Sequence, residues 1–323
     1  MSGSLGSEYP QWPLEFERKR SAQSPLSKHE IDQEIDLACK FATPRELTGA
    51  GLGLRRAFLE ELANKPQPEI DFLEVAPENW INVGGNLGDK LRRATANTPL
   101  VCHGLCLNLG GESDLNLKFI RELEQFLNEH NVVWYGDHLS YCADQGYLYD
   151  LLPIPFTQAA VAHVSDRIRA VQDLLGRQIT VENISYYATP GKKMPEIDFI
   201  NEILERADCK LLFDVNNIYV NSVNHSYDAL SFLRNLPSDR IAYGHVAGHN
   251  VRAPDQLVDT HGEDVTNSVW VLLAKAYEYH GAFPTLLERD NDIPELTALL
   301  AQTQAIADIQ ERIQASSNLT PGD

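Results

Sequence analysis

From Gly49 onward the chain alternates between two hydrophobic patterns. Short β-rich apolar runs occupy residues 50–55, 70–79, 99–110, 132–142, 178–185, 210–220, 240–249 and 283–292. Between most of them lie segments with apolar residues three and four apart, clearest in FIRELEQFLNEH (119–130) and FINEILERA (199–207). That spacing draws one apolar stripe along a helix. About eight strands alternating with helices predict an α/β fold, a parallel sheet closed into a (β/α)8 TIM barrel. The barrel domain is expected over residues 49–315, with an N-terminal extension over 1–48 and a short tail over 316–323. The extension begins Ser/Gly-rich, carries a helical pattern over Lys28–Phe41 and holds no catalytic pattern.

Barrel strands should be apolar throughout, yet seven of the runs finish in groups that bind metals or carry protons. These are Glu74 and Glu78-Asn79, His103, Asp137-His138, Glu182-Asn183, Asp214 with Asn216-Asn217, His245, and Glu288-Arg289-Asp290. In a (β/α)8 barrel the C-terminal strand ends converge on one mouth, where active sites are built. Carboxylates and imidazoles gathered there repel one another or shift their pKa values unless a cation neutralises them. Each residue also has a plainer reading. His103 suits a hydrogen-bonded core histidine, His138 a structural bond to Asp137, Asp214-Asn216-Asn217 an Asx-turn, and Glu288-Arg289 an ion pair. Such separate explanations would have to hold at every strand end at once.

The stretch IAYGHVAGHNVRAPDQLVDTH (241–261) concentrates the same chemistry, with three of the ten histidines and two aspartates on a segment too Gly- and Pro-broken to be a helix. Asp259-x-His261 has strand spacing, which places alternate residues on one face. Imidazole with carboxylate suits borderline divalent metals such as iron, zinc or manganese. A polar surface loop with scattered histidines is the alternative.

Composition narrows the function classes. With 323 residues and 43% hydrophobic content the chain has room for a large core. A formal net charge of −19 argues against non-specific nucleic-acid binding, which needs basic patches. No run approaches the roughly 18 apolar residues of a membrane helix, and the N-terminus shows no apolar signal-peptide region. An odd set of five cysteines argues against a disulfide framework, so a reducing cytoplasm is expected. Gly51-x-Gly53 lacks the third glycine of a dinucleotide fingerprint and reads as a tight strand.

In order, PEIDFLEVAPENW, PLVCHGLCLNLGG, DHLSYC, ITVENIS, FDVNNIYVN, HVAGH, VDTHGEDV and LLERDNDIP resemble the multinuclear non-haem iron-dependent oxidative enzymes, the family of the methanobactin-biosynthesis oxidase. The resemblance spans roughly Gly49 to Leu300. It implies a xylose-isomerase-like barrel holding two or three iron ions, with O2 as co-substrate. It further implies oxidation of side chains, often cysteine, in a ribosomally made peptide that a small partner protein helps present. Carried over residue by residue, the implied metal ligands are His103, His138, Glu182, Asp214, His245, Asp259, His261 and Glu288. Asn216 joins them, chosen over Asn217 as sharing the strand face of Asp214. Glu182 and His249 are the catalytic candidates. Glu182 is expected to bridge two metals, and His249 is left as a ligand, a donor behind a ligand or a proton shuttle. Asn183, Asn217, Glu78 and Arg289 are candidates for support or peptide contacts. The rival readings are a divalent-metal isomerase or phosphodiesterase, and a metal-binding scaffold without turnover.

Overall fold

The computed structural model describes residues 47–318 apart from Pro66 and Gln145; the helical pattern over Lys28–Phe41 lies outside the described residues. Among the described residues twelve strands follow one another as β1 (Ala50–Gly53), β2 (Phe72–Val75), β3 (Leu100–Gly104), β4 (Tyr135–His138), β5 (Ser140–Ala143), β6 (Tyr147–Pro153), β7 (Thr180–Glu182), β8 (Lys210–Asp214), β9 (Ile241–Val246), β10 (His249–Ala253), β11 (Gln256–Asp259) and β12 (Thr285–Leu287). Eight of them close a parallel barrel in the order β1-β12-β9-β8-β7-β4-β3-β2, and β5-β6 and β10-β11 stand apart as two-stranded hairpins. The fold is the (β/α)8 barrel that the alternating pattern predicts.

The period-2 alternation of each barrel strand sorts its residues between two cores. Phe72, Val101, Leu212, Tyr243 and Leu286 form a small cluster of their own, the apolar floor of the barrel. Their sequence neighbours Leu73, Cys102, Leu211, Phe213 and Leu287 belong instead to the large core shared with the helices. Two residues further along each inward-facing row come Glu74, His103, Asp214, His245 and Glu288, so the polar layer rests directly on the apolar one.

Helix Leu117–Glu129 shows how the outer layer forms. Asn116 caps its first turn by accepting from the Phe119 N–H at 3.1 Å, and Ile120, Leu123, Phe126 and Leu127 bury the stripe. Burial of a side chain such as Leu123 contributes about 2 kcal/mol. Helix Gln158–Leu175 starts on a Thr157 cap and ends at Gly176, whose φ of 63° a side chain would disfavour.

Three apolar runs divide differently from the sequence pattern. The run 210–220 is a strand only to Asp214; helix Val215–His225 follows, because the Asp214 carboxylate caps the Asn217 N–H and ends the extended backbone. The run 132–142 splits into β4 and the first arm of the β5-β6 hairpin. The run 240–249 ends at Val246, and His249 opens the β10-β11 hairpin.

Candidate metal centre

The inward ends of β3, β4 and β7 bring His103, His138 and Glu182 together. Glu182 Oε2 lies 2.7 Å from His103 Nε2 and 2.9 Å from His138 Nε2, and the two nitrogens are 3.0 Å apart. His138 Nδ1 is 2.9 Å from the Gly104 carbonyl, which can only accept, so that nitrogen carries the hydrogen and Nε2 of the neutral ring offers its lone pair. Gly136 makes room for these rings: a Cβ there would meet Thr180 Oγ1 at 2.3 Å and His103 Nδ1 at 3.3 Å.

On the other side, His245 Nε2 is 3.0 Å from Glu74 Oε2, and its Nδ1 is 3.0 Å from Glu288 Oε2 and 3.7 Å from Glu182 Oε1. Tyr243 donates to the same Glu74 oxygen at 2.8 Å. His261 continues the chain of contacts, with Nε2 2.7 Å from Asp259 Oδ1 and Nδ1 3.3 Å from Glu288 and 3.4 Å from Asp290. Three overlapping groups therefore hold ligand-type atoms within 4.8 Å of one another: His103-Glu182-His245, Glu182-Asp214-His245-Glu288, and His261-Glu288-Asp290. Glu182 and His245 belong to the first two, and Glu288 joins the second to the third.

Several buried atoms here have no hydrogen-bond partner among the described residues: His103 Nδ1, Asp214 Oδ2, Asn217 Oδ1, His245 Nδ1 and His261 Nε2. His245 Nδ1 and His261 Nε2 lie within ion-pair distance of carboxylates yet outside hydrogen-bond geometry. Unpartnered buried nitrogen and oxygen atoms of this kind are available as metal ligands. Charge points the same way. Burial would lower His138, but the Glu182 carboxylate lifts it to about 9. Burial would likewise lower His245 and His261, and neighbouring carboxylates push both well above the usual imidazole range. Burial would raise Glu182 and Glu288, and the histidines hold both below the carboxylate range. Asp214 moves upward, from burial first and from Glu182 second. The layer requires positive charge, from protons or from divalent cations.

The expected residues do not all take equal places. Asn216 shares no strand face with Asp214, because it lies in the first turn of helix Val215–His225. Its amide donates to Asp259 Oδ1 at 2.8 Å, and its oxygen is 2.8 Å from His249 Nδ1. His249 is buried behind Asn216 and packs against Tyr219. Asn217 instead borders the cavity above the centre and reaches Glu182 at 3.5 Å. Asp259 ends β11, and His261 follows it at a left-handed φ of 46° rather than on the strand. Arg289 turns away from the layer to Asp264 and to the Asn291 and Asp292 carbonyls. Glu74 and Asp290, recognised in the sequence as strand-end groups but not counted among the ligands, face His245 and His261. For Glu74 the signal was register, two positions beyond the floor residue Phe72, whereas Asp290 lies in the loop after β12, where register assigns no face.

A cavity of about 680 Å³ opens above the layer, bordered among others by Arg56, Trp80, Leu105, Leu151 and Tyr187. Barrel and polar mouth define a class, the xylose-isomerase-like TIM barrels. A protein so described from Mycobacterium smegmatis, in complex with magnesium, superposes with a TM-score of 0.52 at 11% identity, over 79% of this chain and 87% of that one. Endonuclease IV from Thermus thermophilus gives 0.55 at 15% identity, over 81% and 99%. These likenesses show the fold. The family model for the RiPP precursor modification enzyme MbnB/TglH/ChrH matches residues 49–311, and the chain belongs to that family of peptide-modifying enzymes. Similar proteins include a UPF0276 protein of Shewanella sediminis, 50% identical over 268 residues (83% of this chain, 96% of that one). One from Pseudomonas aeruginosa is 50% identical over 266 residues (82% and 94%). Among the described residues no helix is long and apolar enough to cross a membrane.

Proposed function

We propose that the protein binds two or three iron ions at the barrel mouth and uses O2 to modify a ribosomally made peptide at cysteine, with a small partner protein presenting that peptide. The observation that carries this reading is the overlap of three ligand groups through Glu182, His245 and Glu288. Overlap suits neighbouring metals that share carboxylates better than one isolated ion. The donor set fits iron: imidazoles and carboxylates, several with unpartnered buried atoms, and no cysteine among the described residues lining the cavity.

His103, His138 and Glu182 would hold one ion, Glu182, Asp214, His245 and Glu288 a second, and His261, Glu288 and Asp290 with Asp259 a third. Bound iron supplies the redox chemistry with oxygen that side chains lack. Glu182 offers one oxygen to the His103/His138 pair and the other toward His245, the geometry of a bridge. Asp214 keeps one oxygen on its helix cap and turns the other toward the layer. Asn216 orients Asp259, and His249 orients Asn216, so both act from behind the ligands. The apolar and aromatic border of Trp80, Leu105, Leu151 and Tyr187 would exclude water from a bound peptide.

The test is anaerobic loading with ferrous iron, followed by oxygen-uptake measurement with a cysteine-bearing peptide. Oxygen consumption in step with peptide oxidation, abolished by a Cys-to-Ser peptide and absent from zinc-loaded protein, is the expected result. Equal turnover by zinc-loaded protein without oxygen would replace this reading with a hydrolase or isomerase.

A further inference from the structure

Two arginines leave β1 side by side, and they have opposite surroundings. Arg55 is engaged by Asp290 and lies 3.8 Å from Glu288, so its charge is already answered within the centre. Arg56 borders the same cavity, is exposed, and has no carboxylate within ion-pair distance among the described residues. It is nevertheless held in place. Its guanidinium stands over the ring of buried Trp80 at 5.6 Å, and Nη2 donates to the Asn79 carbonyl at 3.2 Å. In a chain with 46 acidic residues against 27 Lys and Arg, a cation without an ion-pair partner among the described residues, at a mouth lined by Glu74, Glu182, Asp259, Glu288 and Asp290, is an exception.

With one Nη2 hydrogen bond to the Asn79 carbonyl and the indole ring below, the guanidinium keeps N–H groups available, and a guanidinium fork matches a carboxylate. Barrel order adds a direction. Arg56 follows β1 and Tyr187 follows β7, which stands opposite β1 in the ring of eight. We infer that Arg56, on its Trp80 platform, is a docking point for a carboxylate of the peptide substrate and fixes which part of the peptide lies on the β1 side of the mouth. The inference rests on the peptide-modification reading. It adds a recognition residue outside the metal layer. The carboxylate can be a C-terminus or an acidic side chain.

Three fluorescein-labelled probes separate these sources: Gly-Cys-Gly-Gly as the free acid, the same peptide as its amide, and Gly-Cys-Glu-Gly as its amide. Binding to zinc-loaded full-length protein is read by anisotropy without oxygen. At low salt, one or both carboxylate-bearing probes should bind about fivefold tighter than the plain amide, the upper end of the range for an exposed ion pair. The advantage should shrink at high salt. Arg56→Gln should erase it, and Arg56→Lys should keep part of it. An unchanged acid-to-amide ratio in Arg56→Gln, or no ratio in the wild type, overturns the role of Arg56 while leaving peptide binding intact. Failure of all three probes to bind the wild type would remove the peptide reading together with it.

Discussion

His103, His138, Glu182, His245 and Glu288 stand on barrel strands or one residue beyond them, each strand paired on both sides, whereas Asp259, His261 and Asp290 come from the β10-β11 hairpin and the loop after β12. The first set is nearly sealed, and the second includes an aspartate with 42% of its side chain exposed. A two-stranded hairpin has little stability of its own. This one is held from outside: Asn224 exchanges two hydrogen bonds with the Leu257 backbone, Ser185 donates to Asp259 Oδ2 at 2.9 Å, and the Asp259 N–H donates to Tyr187 Oη at 2.9 Å. The strand-borne half is thus preorganised by the fold itself, and the loop-borne half depends on a few polar contacts. Metal affinity should divide along the same line.

The largest effect is expected at Glu182, which touches two of the three groups. Glu182→Ala should weaken metal binding at least about a hundredfold, beyond what partners behind a ligand contribute, with elemental analysis after anaerobic gel filtration as the readout. Full metal content in that variant would mean the strand-borne half is not joined through Glu182. His261→Ala should remove about one metal equivalent and leave the strand-borne ions in place. Loss of all metal together would erase the proposed division.

The support of the loop half can be tested apart from metal. Glu196, buried beneath the segment that carries Ser185 and Tyr187, accepts from Tyr186 Oη at 2.8 Å. Burial raises it from its ordinary 4.5 to about 7, against the opposing pull of Tyr186 and Lys192. A carboxyl raised in the folded state favours folding below its ordinary pKa, and that contribution is lost as pH rises through about 7. Between about pH 4.5 and 7 the wild type should therefore lose up to about 3 kcal/mol relative to Glu196→Gln. Denaturant melts across this window measure the difference, and parallel curves would refute the assignment. The smallest effect belongs to Tyr187→Phe, which removes one hydrogen bond to the Asp259 backbone. It should cost the loop-borne metal about 1 kcal/mol, read by chelator competition, with the strand-borne ions unaffected.

The strand-borne half was the legible half. A carboxylate or imidazole closing an apolar strand contradicts its surroundings, and the period-2 register assigns it to the mouth without further information. Asn216 was misplaced because KLLFDVNNIYV reads as one β-rich run, and the aspartate in its middle acts at once as strand end and helix cap. Neither hairpin was foreseen as a separate element. Each starts at the end of an apolar run and continues past it, where periodicity alone does not show that the chain leaves the barrel. The position of His261 depends on that hairpin and on a left-handed turn, so Asp259-x-His261 reached the centre for a reason other than the shared strand face. Glu74 was visible as a strand end, but its place against His245 follows from barrel closure, which brings β9 and β12 round to β1 and β2.

That closure has a consequence for the order of events during synthesis. Arg55 follows the first barrel strand, and its partners Glu288 and Asp290 follow the last. Two of the three ligand groups include Glu288. An emerging chain can assemble its N-terminal βα units early, but those two groups wait for β12 to complete the ring. Metal loading of those two groups would therefore follow closure of the barrel, and a truncated or stalled chain lacks the side chains to complete them.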